Sequence, residues 1–182
     1  MYTVAVVLII TVLALLLAVW LNEKNTKLNR LLQAAVFCPH VVSIVSISLI
    51  WLWMMEPNFG LFNYLLRKMG LPTSAWLSGS STAMPSVILV SVWKSVGYDT
   101  LIFLAALQGV SASLYEAARM DSANKVAVFF KITLPMISPQ LFFTLIIRTI
   151  SSFKVFDTVR ILTQGGPNNA TTTVSYTHLT LP

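Results

Sequence analysis

Four charged residues sit inside otherwise apolar sequence, and their chemistry is the first thing to explain. Lys94 and Asp99 fall within residues 85–107, and Arg148 and Lys154 within residues 138–156. A charge inside hydrocarbon costs several kcal/mol, about 2.5–3.5 on insertion scales, so it faces a bundle interior or water. Lys94, Asp99 and Arg148 could relay an ion, and Arg148 could either bind an anion or carboxylate or pair with Asp99. Tyr98, next to Asp99, carries a ring that can stack on a sugar face and a hydroxyl that can hydrogen-bond. Ser43 and Ser46 are three apart and share a helix face, which suits helix packing or a polar path. Together with Ser152, these residues (Ser43, Ser46, Tyr98, Arg148) are the candidates for lining a solute path.

Other chemistries find little support. A single cysteine, Cys38, makes neither an internal disulfide nor a thiolate metal site. His40 beside it reads as a helix-end residue at a membrane surface. A membrane enzyme needs a nucleophile with a base, or a His/Asp/Glu cluster, and the two histidines are His40 and His178. No catalytic residue, metal site or cofactor is therefore expected.

The elements that must position the charges follow from composition. The 182 residues are 56% hydrophobic and 10% charged, with mean hydropathy +0.78. Soluble domains carry about 25% charged residues, and the deficit points to lipid-facing surface. The net charge of +6 is spread in small groups at the ends of apolar runs, without interleaved aromatics, so nucleic acid is not an expected partner. Crossing about 30 Å of hydrocarbon takes about 20 helical residues. Four stretches qualify: 3–21, 34–55, 85–107 and 138–156. The first lacks the basic lead and small-residue cleavage site of a signal peptide and reads as a span. Trp51 and Trp53 read as interfacial anchors ending the second, and Ser138 and Pro139 as N-cap and first residue of the fourth.

Loop charges set the orientation. Lys24, Lys27 and Arg30 in 22–33 and Arg119, Lys125 and Lys131 in 108–136 outnumber Arg67, Lys68 and Arg160 on the alternate side. This places loops 22–33 and 108–136 in the cytoplasm and the amino terminus outside. On the outer side, Leu61, Phe62, Leu65 and Leu66 predict an interfacial amphipathic helix, followed by a loop through Gly70, Pro72 and residues 78–81.

Loop 108–136 carries the most information. Ser113 with Glu116 forms a capping-box pattern, so a helix is expected from Leu114, with Leu114, Ala117 and Ala118 on one face. A second short helix over 124–131, with Val126, Phe129 and Phe130 on a face, is expected to end at Pro135. Two short amphipathic helices in one loop predict a docking element.

Here the chain resembles the permease family of binding-protein-dependent ABC importers. The family pattern is Glu-Ala-Ala, three residues, Gly, nine residues, Ile-x-Leu-Pro. This chain has Glu116-Ala117-Ala118, three residues, Ser122, nine residues, then Ile132-Thr133-Leu134-Pro135. The spacing matches, with Ser122 where the family prefers Gly. Trp93-Lys94-Ser95-Val96-Gly97-Tyr98, Phe103-Leu104-Ala105-Ala106-Leu107-Gln108, Ser152-Phe153-Lys154-Val155-Phe156-Asp157 and Leu162-Thr163-Gln164-Gly165-Gly166-Pro167 resemble its carbohydrate-uptake branch. The resemblance implies an all-α polytopic bundle of the type I ABC importer permease kind, with four of the usual six spans, in the inner membrane. It implies as partners a second permease subunit, two cytoplasmic ATPase subunits that bind the ATP, an extracytoplasmic solute-binding protein and the lipid bilayer. Glu116, Ala117, Ala118, Asp121, Ser122, Ile132, Leu134 and Pro135 would form the ATPase-coupling loop. The permease domain is expected over 1–173; residues 174–182 depart from the pattern and are expected to be a non-native tail on a truncated chain. Alternatives are a channel or secondary transporter with an intramembrane charge relay, and an inactive permease fragment.

Overall fold

A computed structural model describes residues 2–22, 27–154, 157–163, 166–167 and 171. The described residues are helices and their connections, without a strand. Lys24, Val155, Phe156, Gln164, Gly165 and the 174–182 tail, all invoked from the sequence, lie outside them.

Helix α1 (Tyr2–Asn22) and helix α5 (Ala83–Gln108) form the centre of the bundle. Both are long apolar runs, and where water is absent such a run satisfies its backbone only as a helix. They lie parallel. At one end the Tyr2 hydroxyl donates to Ser91 Oγ at 2.9 Å. At the other, Ala14 and Ala18, with no exposed surface, pack on Phe103, Leu104 and Leu107. Small residues four apart let two helices approach closely, which matters in lipid because apolar contact with lipid is as favourable as contact with protein.

Parallel neighbours require a returning crossing between them. Helices α2 (Lys27–Val41) and α3 (Ile44–Met54) provide it, but bent at 96°. The stretch 34–55, expected as the second span, is thus two helices meeting at a sharp bend rather than one straight helix. Pro39 lies in the last turns of α2 and removes a backbone N–H, and the chain leaves the helix at Val42 and Ser43. Three helices among the described residues are long and apolar enough to cross a membrane, or four with this bent pair counted as one.

Helix α7 (Lys125–Phe153) runs antiparallel to α5 and departs furthest from the sequence reading. Neither Pro135 nor Pro139 ends or starts it. A π turn at Phe129–Thr133 precedes Pro135, and its wider coil accommodates a residue that cannot donate to the preceding turn. Ser138 is an interior residue, not an N-cap, and its hydroxyl donates to the Pro135 carbonyl at 2.8 Å. That carbonyl is the one the missing N–H of Pro139 leaves open. Helix α8 (Asp157–Leu162) returns Val159 and Leu162 to a core shared with Tyr2, Ile47, Met55 and Val87.

Between α3 and α5, helix α4 (Leu61–Lys68) forms as expected, but a polar residue anchors it. Asn63 is buried, and its amide donates to the carbonyls of Pro57 (2.8 Å) and Ser74 (2.9 Å). Its oxygen accepts from the Ser74 N–H (3.1 Å) and the Trp76 indole N–H (2.9 Å). Two donors and two lone pairs are all an amide has. Of the expected apolar stripe, Leu61 and Leu65 stay exposed while Phe62 turns inward onto Trp51 and Trp76. Trp51 is thus a packing residue, and Trp53 is the exposed one of the pair. The Phe59 N–H foremost, with Asn58 adding, hydrogen-bonds the Glu56 carboxylate and holds its carboxyl below the usual range.

Asn63→Leu keeps the size but removes all four bonds, and each buried group left unpaired costs about 1–3 kcal/mol. In the full-length protein, limited proteolysis within residues 71–82 is expected to accelerate at least tenfold. Unchanged cleavage would mean that the loop is held by its aromatic packing alone.

Candidate functional site

Three of the four charged residues, Lys94, Asp99 and Arg148, converge at the level of the bend, and Lys154 stays exposed at the end of α7. Arg148 on α7 meets Asp99 on α5 through two parallel bonds, Nε to Oδ2 at 2.6 Å and an Nη to Oδ1 at 2.7 Å. The side chains are 11% and 1% exposed. The same guanidinium donates to the Ser95 carbonyl at 3.3 Å. Of the two sequence readings of Arg148, pairing is the one observed. Lys94 is engaged differently. Its ammonium donates to the carbonyls of Val42 (2.7 Å), His40 (3.3 Å) and Pro39 (3.5 Å), the oxygens that the end of α2 leaves without helical partners.

His40 is not merely a helix-end residue at a surface. Its ring stacks on Tyr98 at 4.7 Å, and the Arg148 guanidinium carbon lies 5.4 Å from the other ring centre, that of Tyr98. Sequence alone carries no signal for this stack, because only the packing of α2 on α5 brings His40 to Tyr98. Tyr98 keeps 39% of its surface exposed. Ser43 and Ser46 are exposed at the start of α3, immediately beyond the carbonyls held by Lys94. Ser152 stands one turn after Arg148, but it is buried, with its hydroxyl donated to the Thr149 carbonyl at 2.9 Å. Ser43, Ser46 and Tyr98 thus present accessible surface at the bend, and Arg148 and Ser152 have their polar groups committed within the bundle.

A second cluster lies at the other end, beside the last turns of α1 and α5. Helix α6 (Ala112–Met120) begins two residues earlier than expected. Ser111, not Ser113, is its N-cap, and no side chain caps it; the Ser111 and Ser113 hydroxyls bond each other at 2.7 Å. The capping box is therefore absent, which leaves Glu116 exposed and uncommitted to the helix start. Ala118 is buried, so the expected Leu114, Ala117, Ala118 face is split: Leu114 and Ala117 point outward with Glu116, Met120 and Asp121. Tyr115 turns inward, its hydroxyl 3.2 Å from that of Thr133 in α7. Val126 and Phe130 are exposed beside α6, whereas Phe129 lines a cleft of about 610 Å³ with Tyr115, Arg119 and Lys125. Ile132 and Leu134 are half-buried and Pro135 is exposed.

Residues 3–180 match the family described as binding-protein-dependent transport system inner membrane component. The chain belongs to this family. It is 39% identical over 165 residues to the trehalose/maltose transport system permease protein MalF of Thermococcus litoralis, covering 91% of this chain and 56% of that protein. It is 40% identical over 153 residues to the sn-glycerol-3-phosphate transport system permease protein UgpA of Yersinia pseudotuberculosis, covering 81% and 50%. A solved bacterial alginate ABC transporter, in complex with an alginate pentasaccharide-bound periplasmic protein, superposes with TM-score 0.81 at 28% identity, over 93% of this chain and 60% of that one. The chain spans about half the length of the curated relatives it matches.

Membership of the inner membrane component family gives Ser122 its context. Helix α6 ends in a Schellman turn: the Ala123 N–H reaches the Ala118 carbonyl and the Ser122 N–H the Arg119 carbonyl, both at 3.0 Å. The residue between must be left-handed, and Ser122 has φ 51°. Helix α4 ends in the same turn with Gly70 at φ 71°, where no Cβ is strained. The left-handed region costs an L-residue about 1–2 kcal/mol, which is the physical reason for the glycine this family prefers.

Ser122→Gly is accordingly expected to protect the α6 amides from hydrogen exchange about five- to tenfold, with no change in the spans. Arg148→Gln strands a buried carboxylate and is expected to destabilise the full-length permease by about 3–5 kcal/mol. Adding Asp99→Asn should restore most of the loss, read as the melting temperature of the purified protein. Equal melting temperatures for single and double variants would mean the pair contributes no coupling.

Proposed function

We propose that this chain is the membrane-spanning part of an ATP-driven importer, moving a sugar or sugar-like solute from an external binding protein into the cytoplasm. Family membership supports the transport role, and the names of the relatives support carbohydrate-related solutes. The observation that carries the coupling assignment is α6: a short helix beyond the bundle end, with Glu116 and Ala117 outward at the family spacing. Leu114, Met120, Val126 and Phe130 add exposed apolar surface around it. A protein groove would bury that surface, and a cytoplasmic ATPase subunit is the partner we assign to it. Two such ATPases would bind and hydrolyse the ATP, and this chain would hold no cofactor.

On this reading loops 22–33 and 108–136 face the cytoplasm. Phe142, Phe143, Ile146, Ile147 and Ile150 on α7 are exposed and apolar, as a helix facing lipid and a second permease subunit would be. The solute would pass by Ser43, Ser46 and Tyr98 at the bend. An ion relay through Lys94, Asp99 and Arg148 finds less support, since Arg148 and Asp99 neutralise each other and Lys94 is held on backbone carbonyls.

Glu116→Lys in the complete importer is expected to abolish solute uptake and co-purification of the ATPase, with membrane insertion unchanged. Normal uptake and normal co-purification by that variant would remove the docking assignment.

A further inference from the structure

Helix α5 grips the last turns of α2 through three residues that together span one turn: Lys94, Gly97 and Tyr98. Gly97 is the point of closest approach, because a Cβ there would overlap the Val36 carbonyl. Tyr98 stacks on His40, and the Lys94 ammonium takes the carbonyls of Pro39, His40 and Val42. In an uninterrupted α-helix those three oxygens would accept from the N–H groups of Ser43, Ile44 and Ser46, each four residues on. The lysine and the straight helix are therefore alternative ways to satisfy the same oxygens. In the bent form the cation replaces the amides, and the amides become the first turn of α3. Its position at a helix C-terminus adds attraction between the ammonium and the negative end of the helix dipole.

Resting on the importer reading above, we propose that Lys94 is a positioning residue for solute passage: it selects the bent over the straight form of the second span and so holds Ser43 and Ser46 at an exposed joint. Without the cation, the carbonyls regain partners within the chain only if α2 and α3 join. Joining would turn Ser43 and Ser46 from a helix start into the middle of a continuous span. The clamp thus makes the second span a two-state element whose balance depends on one side chain from another helix.

The test is a distance measurement in the purified full-length permease, in a Cys38→Ser background with spin labels on Leu31→Cys and Leu52→Cys, both exposed positions. At 1.5 Å rise per residue the backbone separation is about 32 Å for a straight helix and about 21 Å for the bend. Lys94→Met is expected to shift the distribution to the longer distance, and Lys94→Arg, which keeps a cationic donor, to retain the shorter one. Tyr98→Leu, which leaves the carbonyl clamp in place, should also stay short. Ser46→Cys in the same Cys38→Ser background should react with a membrane-impermeant thiol reagent at least tenfold more slowly when Lys94→Met is added. A short distance in Lys94→Met overturns the clamp, as does a long one in Lys94→Arg or Tyr98→Leu. Should Lys94→Met fail to insert, the Arg and Leu variants decide. Lengthening without a change in Ser46→Cys reactivity would overturn the positioning role. The distances need neither ATPase nor binding protein, so failure of the importer reading would leave them standing.

Discussion

Backbone carbonyls in hydrocarbon must be given donors, and most of the unusual features of this chain follow from that constraint. Water cannot supply the donors within a span, so each break in a helix needs a side chain that can. The bend between α2 and α3 exposes three oxygens, and Lys94 comes from α5 to meet them. Pro139 frees the Pro135 carbonyl, and Ser138 answers it from the preceding residue. Threonine and serine elsewhere bond back into their own helices, Thr100 to Val96, Thr144 to Gln140 and Ser151 to Ile147. Polar residues in these spans are to a large extent backbone partners, and a polar residue counted from the sequence is not thereby a path residue.

Charge obeys the same logic one level up. Asp99 alone at this depth would be neutralised or drawn to water, and Arg148 alone, always charged, would be drawn to water. Held bidentately, they cost far less and fix α7 against α5 at one register. Tyr98 then contacts both the guanidinium of this ion pair and the His40 ring at the bend. One aromatic ring links the two places where the bundle departs from simple apolar helices.

What the sequence made legible, and what it hid, divides along physical lines. α1 and α5 were readable because composition alone decides a long apolar helix in lipid. The Asp99–Arg148 pair was readable as one of two options, since each charge needed a partner and few were present. The bend was hidden because Pro39 sits in an apolar run that hydropathy averages over, and because the residue that stabilises the break is Lys94, 55 positions away from Pro39. The continuation of α7 through two prolines was hidden for the opposite reason: proline normally ends helices, and a π turn and one serine hydroxyl overrode it here. Asn63 is hidden in the sequence because a lone amide in an amphipathic stretch reads as surface, and only the fold shows its four bonds closing a loop. The spacing from Glu116 to Pro135 was legible, yet the capping box it suggested is not formed, since Ser111 starts α6 instead.

The continuity of α7 changes how the exposed loop relates to the spans. Had Pro135 ended a separate short helix, motion of the loop could be absorbed in a flexible joint. Instead the second half of the loop is the first part of a 29-residue helix, about 43 Å long, that carries Arg148 at its far portion. α6 is tied to it by Tyr115 and Thr133 and connected to it through the Schellman turn at Ser122. A force on the outward face of α6 therefore acts on a rod whose other end grips Asp99, beside Tyr98 and the bend. Packed helices respond to such a force by rotating or sliding as units rather than by bending continuously. Along that route Ser122 holds a side chain in a left-handed turn, so a strain of about 1–2 kcal/mol sits at the joint between α6 and the rod.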